Sequence, residues 1–238
     1  MILREERVDL VQQEQNKVVR IGFDIDNTIT DCSSGYSQYE YNMLQTWRTD
    51  IKKIGPYTGR VNPSGVEFLE RYPDIDKMEY QEFMEYFFPI MVKEAPFRQN
   101  ISKLFDTLQE PGKFPGYTIK CDIITRRDDY YQGKYSGPMM KQDTIERFKN
   151  EKIHYDRIFF NCKNKKKTME ENNIDILVDD SPMNIFQVST KFPVIVCVTE
   201  YNKKMIGKNI YLTRLENHDL FIKYLELILS KMSKDENH

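Results

Sequence analysis

The stretch VVRIGFDIDNT, residues 18–28, decides the fold of this 238-residue chain. Its first half, through Phe23, is a short apolar run bounded by polar sequence, which is typical of a buried β-strand. Its second half places Asp24, Asp26 and Thr28, three oxygen-bearing side chains, within five positions. The stretch therefore predicts a buried strand that ends in a polar turn.

The composition excludes several classes of protein. Charged residues make up 30% of the chain, the net charge is −2, and no apolar run approaches the roughly 18 residues of a membrane span. The mixed charge argues against a nucleic-acid polymer as partner. The first 20 residues are charged and glutamine-rich, unlike a signal peptide. Four widely spaced cysteines indicate reduced thiols and a cytoplasmic protein.

Strand-like and helix-like segments alternate after residue 96, with short connections between them. Strands are predicted at 117–125, 157–160, 174–179 and 194–199, and helices at 100–108, 138–149, 165–172, 183–189 and 217–231. This alternation predicts an α/β fold with a parallel sheet in a Rossmann-like, three-layer core.

The first strand is separated from the others by a long stretch with helical periodicity. Helices are predicted at 36–54, 64–72 and 76–92, the last with Asp76 as its N-cap. We therefore predict a core of residues 18–30 and 96–238, a helical cap of residues 31–95, and a leader of residues 1–17. The segments near Asp31 and Pro96 would serve as hinges for the cap.

Chemically useful side chains follow four of the predicted strands. In an open parallel sheet, the carboxyl ends of the strands meet at one edge, where ligands bind. Each of these residues alone is also an ordinary turn former or a solvated charge. Their occurrence at four strand ends indicates a site formed by Asp24, Asp26, Thr125, Arg126, Lys163, Lys165, Asp179 and Asp180.

Carboxylates from different strand ends repel one another unless a cation lies between them. Mg²⁺ prefers oxygen ligands, so we expect it to be held by Asp24, by Asp179 and by the carbonyl of Asp26. Asp180 would help through a bound water or by orienting the others. The hydroxyl of Thr125 and an ammonium group would then hold a phosphate against the metal.

The two acids after the first strand have separate expected roles. Asp24 would attack phosphorus in line and form an aspartyl-phosphate. Asp26, two positions along, faces the same way and would give a proton to the leaving oxygen, then accept one from water. Arg126 and Arg127 directly follow Thr125, so one of them is expected to border the phosphate, and Arg126 is taken as the phosphate contact.

The identity of the phosphate-binding lysine is open between three positions. Lys163 and Lys165 flank a predicted helix start, and Lys141 lies on an earlier helix. Asn164 resembles an N-cap, which places Lys165 in the first turn near the strand ends. Lys165 is therefore favoured, with Lys163 as a second phosphate contact.

These residues together resemble the motifs of the haloacid dehalogenase superfamily of phosphatases. Asp24, Asp26 and Thr28 match its D-x-D-x-T motif after an apolar strand, Thr125 its second motif, and Asp179 with Asp180 its acidic pair. The resemblance implies a Mg²⁺-dependent phosphomonoesterase that works through an aspartyl-phosphate.

A narrower resemblance points to the 5′(3′)-deoxyribonucleotidase-like branch. It rests on residues 160–180, on Glu94-Ala95-Pro96, and on Tyr201-Asn202. It implies a nucleoside monophosphate as substrate and a cap after the first motif. Two alternatives remain open: a sugar-phosphate phosphatase, such as one of surface-polysaccharide biosynthesis, and a non-catalytic relative that only binds a partner.

Overall fold

Six parallel strands form the sheet at the centre of the computed structural model, which describes residues 16–30, 44, 46–48, 74–128, 133–199 and 202–235. The strands lie in the order β3-β2-β1-β4-β5-β6, and every neighbouring pair is parallel. Their bounds are β1 Lys17–Phe23, β2 Tyr117–Ile124, β3 Arg157–Phe159, β4 Ile176–Asp179, β5 Val194–Cys197 and β6 Ile210–Thr213. The predicted parallel α/β sheet is confirmed.

Helices cover both faces of this sheet. Their bounds are α1 Lys77–Glu94, α2 Ile101–Leu108, α3 Pro138–Asn150, α4 Lys165–Asn172, α5 Pro182–Ser189 and α6 His218–Asp235. Side chains of α2, α3 and α6 pack in one apolar cluster, and those of α4 and α5 pack in another. The core thus has the three layers that the sequence predicts.

Strand β1 is buried along most of its length because it lies at the centre of the sheet. Val19, Ile21 and Phe23 are fully buried and alternate with neighbours that point to the other face. Gly22 leaves room for the side chain of Ile124 on β2, since a Cβ at this position would collide with it. This close packing holds the end of β1 against both adjacent strands.

The edge strand β6 is not predicted from the sequence. It has four residues with alternating burial, and it pairs only with β5 through Val194↔Ile210 to Cys197↔Thr213. Two of its four residues are only partly buried, whereas all four residues of β5 are buried, so no continuous buried apolar run marks β6 in the sequence. The other predicted elements that fall within the described residues are present, with ends that differ by a few residues; α6 extends to Asp235.

Helix α1 is the part of the predicted cap that the structure describes at length. The Asp76 carboxylate accepts hydrogen bonds from the amides of Met78 and Glu79, which confirms the predicted N-cap. The apolar face of α1 shares a cluster with Met140 of α3. The predicted helices at 36–54 and 64–72 lie outside the described residues, apart from helical positions at 44, 46 and 47.

The two connections between α1 and the core lie side by side. Thr30 and Phe97 form an antiparallel bridge, and the Arg98 amide donates to the Ile29 carbonyl at 2.9 Å. Entry to and exit from the intervening segment are therefore adjacent, as a cap inserted after β1 requires. In the described ranges, no helix combines the length and the apolarity needed to cross a lipid bilayer.

Candidate active site

The turn after β1 is fixed by backbone bonds and by a buried arginine. The Asp24 amide donates to the Val178 carbonyl of β4, which extends the ladder by one residue. Asn27 has φ 61°, a left-handed conformation that asparagine tolerates. Arg98 donates from Nε to the Thr28 carbonyl and from Nη2 to the Asn27 carbonyl, both at 2.7 Å. The position of Asp26 is thereby set by a rigid turn.

Lys165 joins the ends of β1 and β4. Its Nζ donates to Oδ1 of Asp24 at 2.5 Å and to Oδ2 of Asp179 at 2.6 Å, and its side chain is 0% exposed. Asn164 is the N-cap of α4, with Oδ1 accepting from the Lys167 amide at 3.0 Å. Asn164, the predicted N-cap residue, thus places Lys165 in the first turn of α4, with its side chain directed at the ends of β1 and β4.

Burial and charge shift the pKa values of this group strongly. Burial raises the pKa of Asp24 well above its ordinary 3.8, the nearby Asp179, Asp180 and Asp26 charges raise it further, and Lys165 opposes them. Burial alone would lower the pKa of Lys165, but the charges of Asp179 and Asp24 outweigh it and raise that pKa above 10.5. Lys165 is therefore an ammonium at neutral pH.

Three carboxylates converge at the site. Oxygen atoms of Asp24, Asp179 and Asp180 all lie within 4.8 Å of one another. The Lys165 ammonium bonds two of them, Asp24 and Asp179, and the carboxylate oxygens of all three are donors that Mg²⁺ prefers. Fully ionised, these residues fit a divalent cation.

Neighbouring polar groups orient these carboxylates. The Asp179 carboxylate accepts from the Ser181 amide at 2.8 Å and from Nδ2 of Asn184 at 3.1 Å. Thr28 Oγ1 donates to Oδ1 of Asp180 at 3.2 Å. Such bonds hold metal-ligating carboxylates in place. Asn184 is missing from the sequence-based site, and its position in the first turn of α5, shortly after Asp179 and Asp180, is the signal that could have pointed to it.

Asp26 is paired with Arg127, the residue that follows the predicted phosphate contact Arg126. Arg127 donates from Nε to Oδ2 of Asp26 at 3.1 Å and from Nη2 to Oδ1 at 2.7 Å. The Arg127 amide donates to Oγ1 of Thr125 at 3.1 Å. Arg126 is half-buried, and its predicted contact with phosphate stays a prediction.

Of the three candidate lysines, Lys165 is the one shown bonded to Asp24. Lys141 lies 3.3 Å from Asp128 Oδ2 and above the Phe160 ring. Lys163 is exposed in the loop before α4. The geometry therefore favours Lys165, as the sequence does, and the role of Lys163 as a second phosphate contact stays a prediction.

Sequence comparisons find no matching protein family and no matching curated protein. Solved structures do match. A protein named as a β-phosphoglucomutase from Thermotoga maritima superposes with a TM-score of 0.55 at 15% identity, covering 87% of this chain and 99% of that one. The chain has the haloacid dehalogenase-like fold. A protein named as a phosphatase from Clostridium difficile gives 0.54 at 15% identity, covering 89% and 100% of the two chains.

A haloacid dehalogenase-like hydrolase from Streptococcus pneumoniae gives a TM-score of 0.53 at 14% identity, covering 86% of this chain and 98% of that one. At these identities the haloacid dehalogenase-like fold is what the comparison establishes. None of the three names is that of a nucleotidase, so the comparison supports the fold that the superfamily resemblance implies and gives no support to the narrower nucleotidase branch.

Metal binding is testable without an activity assay. We expect millimolar Mg²⁺ to raise the melting temperature, because a cation relieves the repulsion among Asp24, Asp179 and Asp180 in the folded state only. Asp179→Asn should largely remove this shift, measured by thermal unfolding with EDTA or Mg²⁺. The control Asp156→Asn removes a carboxylate from the other end of the sheet, beside β2, and should keep the shift. An unchanged shift in Asp179→Asn would contradict the assignment.

Proposed function

We propose that the chain is a Mg²⁺-dependent phosphomonoesterase that works through an aspartyl-phosphate on Asp24. The observation that carries this proposal is the Asp24 carboxylate at the end of β1, joined to Asp179 by the buried ammonium of Lys165. Asp24, Asp179, Asp180 and the carbonyl of Asp26 would hold the metal. Bound Mg²⁺ would neutralise charge on the phosphoryl oxygens.

The proposed reaction has two steps. Asp24 attacks phosphorus, forming an oxygen–phosphorus bond as the ester oxygen leaves, and Asp26 gives that oxygen a proton. Water then attacks the aspartyl-phosphate as Asp26 takes its proton, which releases inorganic phosphate and regenerates Asp24. Thr125 and Lys165 would hold the phosphoryl group throughout, with Arg126 and Lys163 at its rim.

Two classes of substrate are candidates for this site. The motif resemblance favours nucleoside monophosphates, whereas the structural likeness to a protein named as a β-phosphoglucomutase favours sugar phosphates. Both are small monoesters that would enter beneath the cap. A panel of nucleoside and sugar monophosphates, compared by kcat/KM under Mg²⁺, separates the two. The described cysteines, Cys121, Cys162 and Cys197, are free and buried, which is compatible with the cytoplasmic location we propose.

We expect turnover of p-nitrophenyl phosphate in Mg²⁺ and loss of that turnover in excess EDTA. The metal is needed because the site otherwise repels the phosphate dianion with three carboxylates. Adding Mg²⁺ back should restore the rate, and NaCl at equal ionic strength, which should not restore it, serves as the control. Absence of turnover on every monoester with Mg²⁺ bound would instead favour the non-catalytic alternative.

A further inference from the structure

The Arg127 side chain is almost completely buried beside the turn that carries Asp26. Its Nε and Nη2 atoms approach the two oxygens of the Asp26 carboxylate side-on, at 3.1 and 2.7 Å. The guanidinium is planar and rigid, so two bonds of this kind fix both the position and the plane of a carboxylate. A single lysine could fix neither.

The third nitrogen of the Arg127 guanidinium, Nη1, binds helix α3. Nη1 donates to Oγ1 of Thr144 at 2.9 Å, and the Thr144 hydroxyl donates to the Met140 carbonyl one turn earlier at 2.8 Å. The main chain of Arg127 is held as well, because its carbonyl accepts from the Asn161 amide at 3.0 Å. Contacts with the core therefore fix the position of Arg127 independently of its bonds to Asp26.

Helix α3 is also the core helix that contacts α1. Nη1 of Arg147 on α3 donates to the Val92 carbonyl of α1 at 3.0 Å, and Nζ of Lys93 lies 3.3 Å from Oδ2 of Asp143. Met140 belongs to the apolar cluster of α1. One continuous set of contacts thus runs from α1 through α3 and Arg127 to Asp26.

We propose that Arg127 is a positioning residue for Asp26. It holds the Asp26 carboxylate in the orientation in which that group exchanges protons with the leaving oxygen and with water, and Thr144 fixes Arg127 on the helix that carries α1. This inference rests on the proposed function, in which Asp26 acts in both steps. A purely structural ion pair would stabilise the fold without affecting the two steps differently.

The test compares Arg127→Met with the wild type on an aryl and an alkyl ester under Mg²⁺. The p-nitrophenolate group leaves without a proton, so aspartyl-phosphate formation should stay fast and its hydrolysis should become slow. We expect a burst of about one p-nitrophenol per site, followed by turnover about 10–100-fold below the wild type, because acid–base catalysis contributes about 10²–10⁴-fold. Glycerol phosphate, whose leaving group needs a proton, should show no burst.

Two further variants keep the test independent of folding. Arg127→Lys retains the charge without side-on pairing and should restore only part of the steady rate. Thr144→Val should also retain the burst and lower the steady rate, but by less than Arg127→Met does. The matched control is Arg157→Met, since Nε and Nη2 of Arg157 pair side-on with Asp122 within the sheet, at 3.0 and 2.6 Å. It should lower stability and leave the ratio of burst to steady rate unchanged.

The outcomes separate the inference from the function on which it rests. The positioning role alone would be overturned if Arg127→Met lowered the burst and the steady rate equally on both esters. It would also be overturned if the ratio of burst to steady rate were unchanged in Arg127→Met, Arg127→Lys and Thr144→Val. A wild type that forms no phosphoenzyme and an Asp24→Asn variant that keeps full turnover would overturn the proposed function, and the inference with it.

Discussion

Asp24→Asn is expected to abolish turnover of phosphate monoesters while leaving the protein folded. Asparagine keeps the shape of the side chain but cannot form an acyl phosphate by attack on phosphorus, so kcat should fall by about 10⁴-fold or more, as for other nucleophile replacements. The Lys165–Asp179 pair, at 2.6 Å, remains in place. The measurements are turnover of p-nitrophenyl phosphate and the far-ultraviolet circular dichroism spectrum.

The same substitution has a predictable effect on stability without metal. The pKa of Asp24 is raised in the folded protein, by burial first and then by Asp179, Asp180 and Asp26. The folded state therefore binds its proton more tightly than the unfolded chain, and this contribution to stability decreases as the pH rises above 3.8. Asparagine does not titrate, so Asp24→Asn does not lose stability as the pH rises. It should therefore unfold at a higher temperature than the wild type at pH 7 in EDTA.

The control for this prediction is Asp219→Asn, which removes an exposed carboxylate in the first turn of α6. It should keep full turnover and should not raise the melting temperature at pH 7. Retention of wild-type turnover in Asp24→Asn would refute the nucleophile assignment. A lower melting temperature than the wild type in EDTA would contradict the electrostatic account of the site.

The sequence predicts those parts of the site that depend on strand ends and helix starts. Parallel strands bring their carboxyl ends to one edge, so Asp24 and Asp179 could be placed together without coordinates. The Asn164 cap fixes where α4 begins, and with it the direction of Lys165. Both are local rules of backbone geometry, and the structure places Lys165 within hydrogen-bond distance of Asp24 and Asp179.

The choice between Arg126 and Arg127 depends on the path of the chain after β2, where no regular repeat applies. Asp128 has φ 75°, and Asn161 has φ 58° in the loop that pairs with Arg127. Two adjacent arginines offer identical chemistry, so the burial of one of them could only come from the structure.

The structural comparison supports the fold implied by the superfamily resemblance but not the substrate implied by the narrower nucleotidase branch, and the reason lies in which residues carry each resemblance. Asp24, Thr125 and Asp179 match motifs that a whole superfamily shares, so they carry information about the proposed reaction. The choice of leaving group would depend on other side chains around the site, and no motif in the sequence identifies them. A substrate assigned from shared motifs therefore stays a proposal, whereas the fold does not.

Lys165→Met is expected to have the largest effect on stability of the variants considered. It leaves Asp24 and Asp179 facing each other without their common ammonium, and removal of one partner from a buried ion pair costs about 3–5 kcal/mol. The Lys165 side chain is 0% exposed, so solvent water does not reach the two carboxylates to compensate for the missing ammonium. The free energy of unfolding in EDTA, measured by urea denaturation, should fall by that amount.

Mg²⁺ should recover part of this loss, since a cation between the carboxylates replaces some of the missing charge. Turnover should nonetheless remain about 10²–10³-fold low, as when one preorganised donor to a developing oxyanion is removed. The matched control is Lys167→Met in the same helix, where Lys167 and Glu171 form an exposed pair at 3.6 Å. That change should cost about 0.3–0.5 kcal/mol and leave turnover intact. Equal losses in the two variants would show that Lys165 is not the lysine that joins the strand ends.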